Sequence, residues 1–303
     1  MDGNTTMAAK GADLAVKKGL LVFNSVGNEG GNALNFLVTP SDGDSVIAVG
    51  AVTSTAVVGG FSSFGHSGDG QVKPDMASVG VAAMVQTTSN TIGTNNGTSF
   101  ACPNMAGLGT ILWQAFPEYN NMKIAQALKA AGSKFSAPDT RIGYGIPDLK
   151  LAFTNLLTEF ATSTATTNTC TVTLDWTSKD VQAMKYEIER KAPGETVFTK
   201  VGEVIPQAGT ILFIHSYQFN NSLAGLNAGT VSYRIRQIVD TAAASFKAVY
   251  IDTANTTVPA GCFATGTGNT DPVKEKIIIQ PNPVSGSTLS LVVETPFAIN
   301  EMP

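Results

Sequence analysis

Residues 96–107 read NGTSFACPNMAG, which sets a serine, Ser99, between an Asn-Gly-Thr turn and an apolar run. A hydroxyl alone is a weak nucleophile. A serine so placed has chemistry only if a base, an oxyanion donor and a substrate groove surround it. Thr98 or Ser99 also suits the cap of the helix predicted by the spacing of Met105, Leu108, Leu112 and Phe116. The two roles are compatible, because a helix N-terminus offers unpaired backbone N–H groups to an anion. Pro103, about one turn in, predicts a kink or a tight opening turn. A second polar segment, Ser25-Val26-Gly27-Asn28-Glu29-Gly30, closes an apolar run of strand length. An asparagine there either aims its amide at a developing oxyanion or simply makes a turn.

The other reactive side chains are sparse. His66, in the Phe64-Gly65-His66-Ser67 turn, and His215, in the later β region, are the two histidines. Cys102 lies in a small-residue slot of the predicted helix and reads as a packed thiol. Asp42, Asp44 and Asp69 are loop carboxylates without the spacing of a calcium loop.

Two kinds of periodicity divide the chain. Over residues 1–157, helical segments alternate with short apolar runs such as SVIAVGAV, which predicts an α/β domain with a buried parallel sheet in three layers. Asp148 is expected to cap a last helix there. The stretch FATSTATTNT has little to bury, so residues 158–169 are expected to be a linker. From 170 to 263 the period becomes two, as in CTVTLDWTS and VSYRIRQIV, which predicts an independently folding β-sandwich. Cys170 and Cys262 bracket it, and both pairing and separate burial stay open. Residues 264–272 read as a second linker. Residues 273–303 read as a β tail broken by Pro281-Asn282-Pro283 and stopping short of a complete sandwich.

Bulk properties narrow the partners. With 43% hydrophobic residues, 14% charged and a net charge of -4, the 303-residue chain offers no basic surface for nucleic acid. No apolar run reaches the roughly 20 residues that span a bilayer. The glycine-rich, weakly charged composition suits a secreted or cell-surface protein, although the first residues lack a signal-peptide pattern.

Gly97-Thr98-Ser99-Phe100-Ala101-Cys102-Pro103-Asn104-Met105-Ala106-Gly107 resembles the nucleophile motif of the subtilisin-like serine proteases, with each fixed position matched. Ser25 to Gly30 resembles that family's oxyanion segment, GFSSFG its serine-pair turn, and Lys73-Pro74-Asp75 through Gly80 the loop before the nucleophile, with Ser78 where proline is usual. The resemblance covers about residues 5 to 157, the C-terminal half of a subtilase domain. It implies peptide-bond hydrolysis of protein or peptide substrates through a Ser99 acyl-enzyme, with Asn28 and the Ser99 N–H as oxyanion donors. Ser25, Val26 and Gly27, with Gly97 and Thr98, would line the substrate site. The triad Asp and His have no counterpart before Asn28, so they are expected upstream of Met1, and the chain alone is expected to be silent. No cofactor is implied; the family often binds calcium, for which these residues assign no ligands. The middle unit is similar to fibronectin type III-like sandwiches. IIIQPNPVSGSTLSLVV resembles the opening of a type IX secretion sorting domain, with Gln280 replacing a tyrosine, and implies the secretion machinery as a partner. The alternative is a non-catalytic surface protein whose degenerate protease half accompanies an adhesive or glycan-binding sandwich.

Overall fold

The computed structural model describes residues 2–32, 37–181, 184–207, 209, 212–239 and 248–262, together with the backbone strands 276–280 and 290–294. Helix α1 (Met7–Lys17) opens on Thr6, whose side chain accepts from the Ala9 amide, and it turns out through Gly19 at φ +96°. Strands β1 (Phe23–Ser25) and β2 (Ile47–Val52) then pair in parallel, and all six residues of β2 are buried. Two short strands, β3 (Gly65–His66) and β4 (Val72–Lys73), form a hairpin before β5 (Met76–Val79), which adds to β2 in parallel. The core sheet therefore runs β1-β2-β5. A second hairpin, β6 (Ala83–Gln86) and β7 (Ile92–Asn95), leads into helix α2 (Thr98–Ala115). Helices α3 (Asn121–Ala130) and α4 (Leu149–Phe160) follow, capped by Asn120 and by Asp148.

Side chains of the parallel strands alternate between the two faces. Ile47, Val49, Ala51 and Met76 join Ala101, Met105 and Leu112 of α2 in the main core. The opposite face carries Ala48, Gly50, Val52 and Ala77, and Leu37, Val58 and Ile142 from the connecting loops pack on it. At Gly50 a Cβ would meet Pro74, Ser62 and the Arg141 carbonyl at 3.1–3.5 Å, so these loops lie directly on the strand. Beneath them Lys73, 1% exposed, donates to the carbonyls of Gly43 and Val46 at 3.0 and 2.9 Å and to Asp75 at 2.9 Å. Asp75 also accepts from the Ala48 amide at 2.8 Å and pairs with Lys129 at 2.6 Å.

Residues 158–169 are not a linker. Helix α4 runs to Phe160, and after Ala161 the chain enters strand β8 (Thr162–Asn168). Threonine's branched Cβ favours a pleated strand, and the small Ser163, Ala165 and Thr167 fit the inward positions. Ser163 donates to Asp252 at 2.9 Å, and the Thr167 and Thr256 hydroxyls bond at 2.7 Å. Strands β9 (Thr171–Asp180), β10 (Lys185–Lys191), β11 (Thr199–Val204), β12 (Phe213–Ser222), β13 (Gly229–Ile238) and β14 (Val249–Val258) complete two antiparallel sheets, β12-β9-β8 and β11-β10-β13-β14. Trp176 of the first sheet meets Tyr186 of the second edge-on at 5.4 Å between centroids. A disulfide joins Cys170 to Cys262.

The β unit shares one core cluster with the α/β segment. Its Lys179 is buried against the end of α2, donating to the Ala115 carbonyl at 2.6 Å and to Glu118 at 2.8 Å. The two units therefore share buried side chains across their junction. The second linker, 264–272, lies outside the described residues. Of the tail, β15 (Lys276–Gln280) and β16 (Ser290–Glu294) pair antiparallel, and Pro281-Asn282-Pro283 lies outside the described residues.

Candidate active site

Asn28 comes from the loop after β1. The Val26 amide continues the sheet by donating to the Val49 carbonyl, and Val38 returns to bond the Val26 carbonyl at 2.8 Å. Gly27 stands at φ +105°, and a Cβ there would lie 2.4 Å from Val38 Cγ2. Only glycine fits both demands. The turn through Phe61, Ser62 and Ser63 then fixes the loop from outside. Ser63 N–H donates to the Gly27 carbonyl at 2.9 Å, Ser63 Oγ accepts from Glu29 N–H at 3.0 Å, and Gly30 N–H donates to Phe61 at 2.8 Å. The sequence marked this turn by its serine pair but gave Ser63 no role.

Ser99 comes from the other side. After β5, Gly80 donates to Val52 and accepts from the Gly97 amide at 2.8 Å. A Cβ on Gly80 would stand 2.6 Å from the Gly97 carbonyl, so this close approach also needs glycine. The chain enters α2 with Gly97 as the N-cap and no side-chain cap. Neither Thr98 nor Ser99 caps the helix, because both already lie in its first turn. Pro103 sits four residues beyond Ser99 within the helix. Lacking an N–H, it leaves the Ser99 carbonyl without its i+4 donor.

The two segments meet through Thr98, which is fully buried. Its backbone N–H donates to Asn28 Oδ1 at 2.9 Å, and its hydroxyl donates to the same oxygen at 3.0 Å. Two donors on one atom identify that atom as the amide oxygen, so the Asn28 NH2 group is the free, donating end. Ser99 is exposed on the adjacent residue, at a helix N-terminus that carries partial positive charge. Asn28, Gly97, Thr98 and Ser99 thus converge at the carboxyl ends of the strands, with Ser25, Val26 and Gly27 leading into the same place.

The histidines do not converge there. His66 is exposed on β3, and its partner strand docks Lys73 at the Gly43 and Val46 carbonyls, at the amino end of β2. His215 donates or accepts through Nδ1 with Asp180 at 2.8 Å, and Asp180 is fully buried beneath the Tyr186 and Tyr217 hydroxyls at 2.6 and 2.7 Å. Neighbouring Lys179 touches the last residue of α2. The 18-residue helix is about 27 Å long at 1.5 Å per residue, so His215 lies at the end remote from Ser99.

Cys102 is half-buried, and burial pushes its thiol pKa up, away from thiolate chemistry. Asp42 is buried and accepts from the Gly3 amide, whereas Asp44 and Asp69 both take the Gln71 amide group. Among the described residues no cluster of histidine, cysteine and carboxylate is arranged to hold a metal. No described helix is long and apolar enough to cross a membrane.

Residues 2–145 match the model of the subtilase family. The thermophilic serine proteinase of Bacillus sp. (strain AK1) is 32% identical over 144 residues, which are 48% of this chain and 33% of that protein. Subtilisin amylosacchariticus of Bacillus subtilis subsp. amylosacchariticus is 32% identical over 122 residues, 40% of this chain and 30% of its own. The chain thus spans about a third of the length of the curated relatives it matches. Among solved structures, the self-cleaved protease domain of PatA aligns with TM-score 0.43 at 22% identity, over 52% of this chain and 58% of that one.

Proposed function

From the subtilase-family segment at residues 2–145 we propose that the protein is a secreted serine endopeptidase and that this segment contributes the nucleophile, Ser99. The observation that carries the reading is the bond from the Thr98 amide to Asn28 Oδ1, because it ties the asparagine side chain to the residue before Ser99 and leaves its NH2 group as the donating end. The base and its acid partner come from sequence outside these residues.

In the proposed reaction Ser99 Oγ attacks the carbonyl carbon of the scissile peptide while its proton passes to that base. The carbonyl electron pair moves onto oxygen, where Asn28 Nδ2 and the Ser99 N–H donate to it. Collapse breaks the C–N bond, the base returns the proton to the leaving amine, and water hydrolyses the Ser99 ester by the same steps. Ser25 to Gly27 on one side and Gly97-Thr98 on the other hold the residue before the scissile bond. The β unit is a fibronectin type III-like module, and the tail begins a sorting domain that directs export.

Labelling with a fluorophosphonate probe tests this. The 303-residue chain should not react, a form extended upstream should react, and Ser99→Ala should abolish that reaction. An extended form that stays unlabelled while folded overturns the protease reading. Labelling of the short chain at Ser99 would instead make His66 or His215 the base.

A further inference from the structure

Helix α2 has no basic residue in its last turn and no acidic residue in its first. Its carboxyl end nevertheless carries a cation, supplied from 64 residues further along the chain: Lys179 of β9, whose ammonium donates to the Ala115 carbonyl at 2.6 Å. That carbonyl belongs to the last residue of the helix, one of the four that no intrahelical N–H satisfies, and a positive charge there is stabilised by the negative end of the helix dipole. The same ammonium bonds Glu118 at 2.8 Å and lies 5.2 and 5.4 Å from the rings of Phe116 and Phe160. Burial raises the Glu118 pKa, but the hydrogen bond and charge of Lys179 outweigh it and the net direction is down. The lysine is itself braced. Its carbonyl accepts from Gln237 Nε2 at 2.7 Å, and fully buried Gln237 accepts from Ser178 at 2.8 Å.

The helix is therefore gripped at both ends, by Asn28 at its first turn and by the β unit at its last. We propose that Lys179 is a positioning residue: by holding the far end of α2 it fixes where the Thr98-Ser99 turn stands against Asn28. The β unit is on this account part of the catalytic architecture, beyond being a tethered module. The proposal rests on the protease reading for its consequence in turnover, and on the helix contacts alone for its mechanical part.

Lys179→Met keeps the stem and removes the charge. In a form extended upstream and held well below its unfolding midpoint, it should lower the rate of fluorophosphonate labelling about tenfold with little change in KM, since a misplacement of ~1 Å can cost up to ~10²-fold. A rate within twofold of the parent would overturn the proposal. In the 303-residue chain, amide hydrogen exchange gives a second readout that needs no activity. Faster exchange at Thr98 and Phe100 as well as at Phe116 supports the grip, and acceleration confined to the last turn overturns it. If the parent does not label, the protease reading fails while exchange still decides the grip. Should Lys179→Met not fold, Glu118→Gln weakens the same contact from the helix side and carries the same two measurements.

Discussion

The α/β segment and the β unit are stabilised by different kinds of detail. In the first, backbone meets backbone: Gly30, Gly80 and Gly143 each stand where a Cβ would come within 2.6 Å of a backbone carbonyl oxygen, and one buried carboxylate, Asp75, serves two lysines and an amide. In the second, side chains meet in cross-strand rows. Glu187 and Glu189 of β10 face Arg236 and Arg234 of β13, and Arg234 lies between the rings of Phe198 and Tyr250 at 4.3 and 4.2 Å. Close backbone approach tolerates no added atom, whereas a row of partly solvated pairs loses one member gradually. The difference predicts steep mutational effects in one region and shallow ones in the other.

The largest effect is expected in turnover. In an active, extended form Asn28→Ala should cost ~10²- to 10³-fold in kcat with KM nearly unchanged; that magnitude is borrowed from the subtilisin oxyanion asparagine. It also removes the acceptor of Thr98, so a loss in KM alone would contradict the assigned role. Next comes Asp75→Asn. Breaking a buried pair leaves Lys73 uncompensated in a site 1% exposed, and about 3–5 kcal/mol of stability should be lost in denaturant unfolding. A cost as small as that of a surface pair would break the comparison between the two regions.

A milder change is expected in the β core. Tyr186→Phe removes one of the three donors on Asp180 but leaves His215 and Tyr217 in place. The remaining bonds should limit the loss to about 1–3 kcal/mol, read as a shift in the denaturant midpoint with an unchanged slope. A larger loss would show that this unit also contains a site as unforgiving as Asp75.

The same contrast explains what could be read from the sequence. Continuous apolar runs mark β2, and Asp148 ahead of an apolar-spaced segment marks α4, because both depend on neighbours within one turn or strand. The approach of Asn28 to Ser99 is implied by motif resemblance and not by periodicity, and the bond that holds them together, from Thr98 to Asn28 across seventy positions, is visible only in the structure. Strand β8 was hidden by composition: Thr162–Asn168 carries period-two burial in residues too small and polar to show it as hydrophobicity. The roles of Ser63 and Lys179 have no local mark, although the serine pair does mark the turn that holds Ser63. Each acts on a distant backbone carbonyl, which no window of sequence contains.

The smallest effect concerns pH. Burial raises the Glu187 pKa, but hydrogen bonds and charges from Lys200 and Arg236 outweigh it, so the group is held below its ordinary value of 4.5. A carboxylate depressed in the folded state contributes stability that is complete above the unfolded value and is lost as pH falls through the folded one. The contribution of Glu187 should therefore be constant at neutral pH and fade only below about 4.5. Glu187→Gln should cost little at pH 7, because Lys200 retains Glu203 at 2.7 Å, and added salt should shrink even that cost. Measured against pH, the difference between parent and variant midpoints should narrow on acidification below 4.5. A difference that widens there would give the pair the opposite linkage, and would mean that this ladder is not the shallow, solvent-screened feature that separates the β unit from the α/β segment.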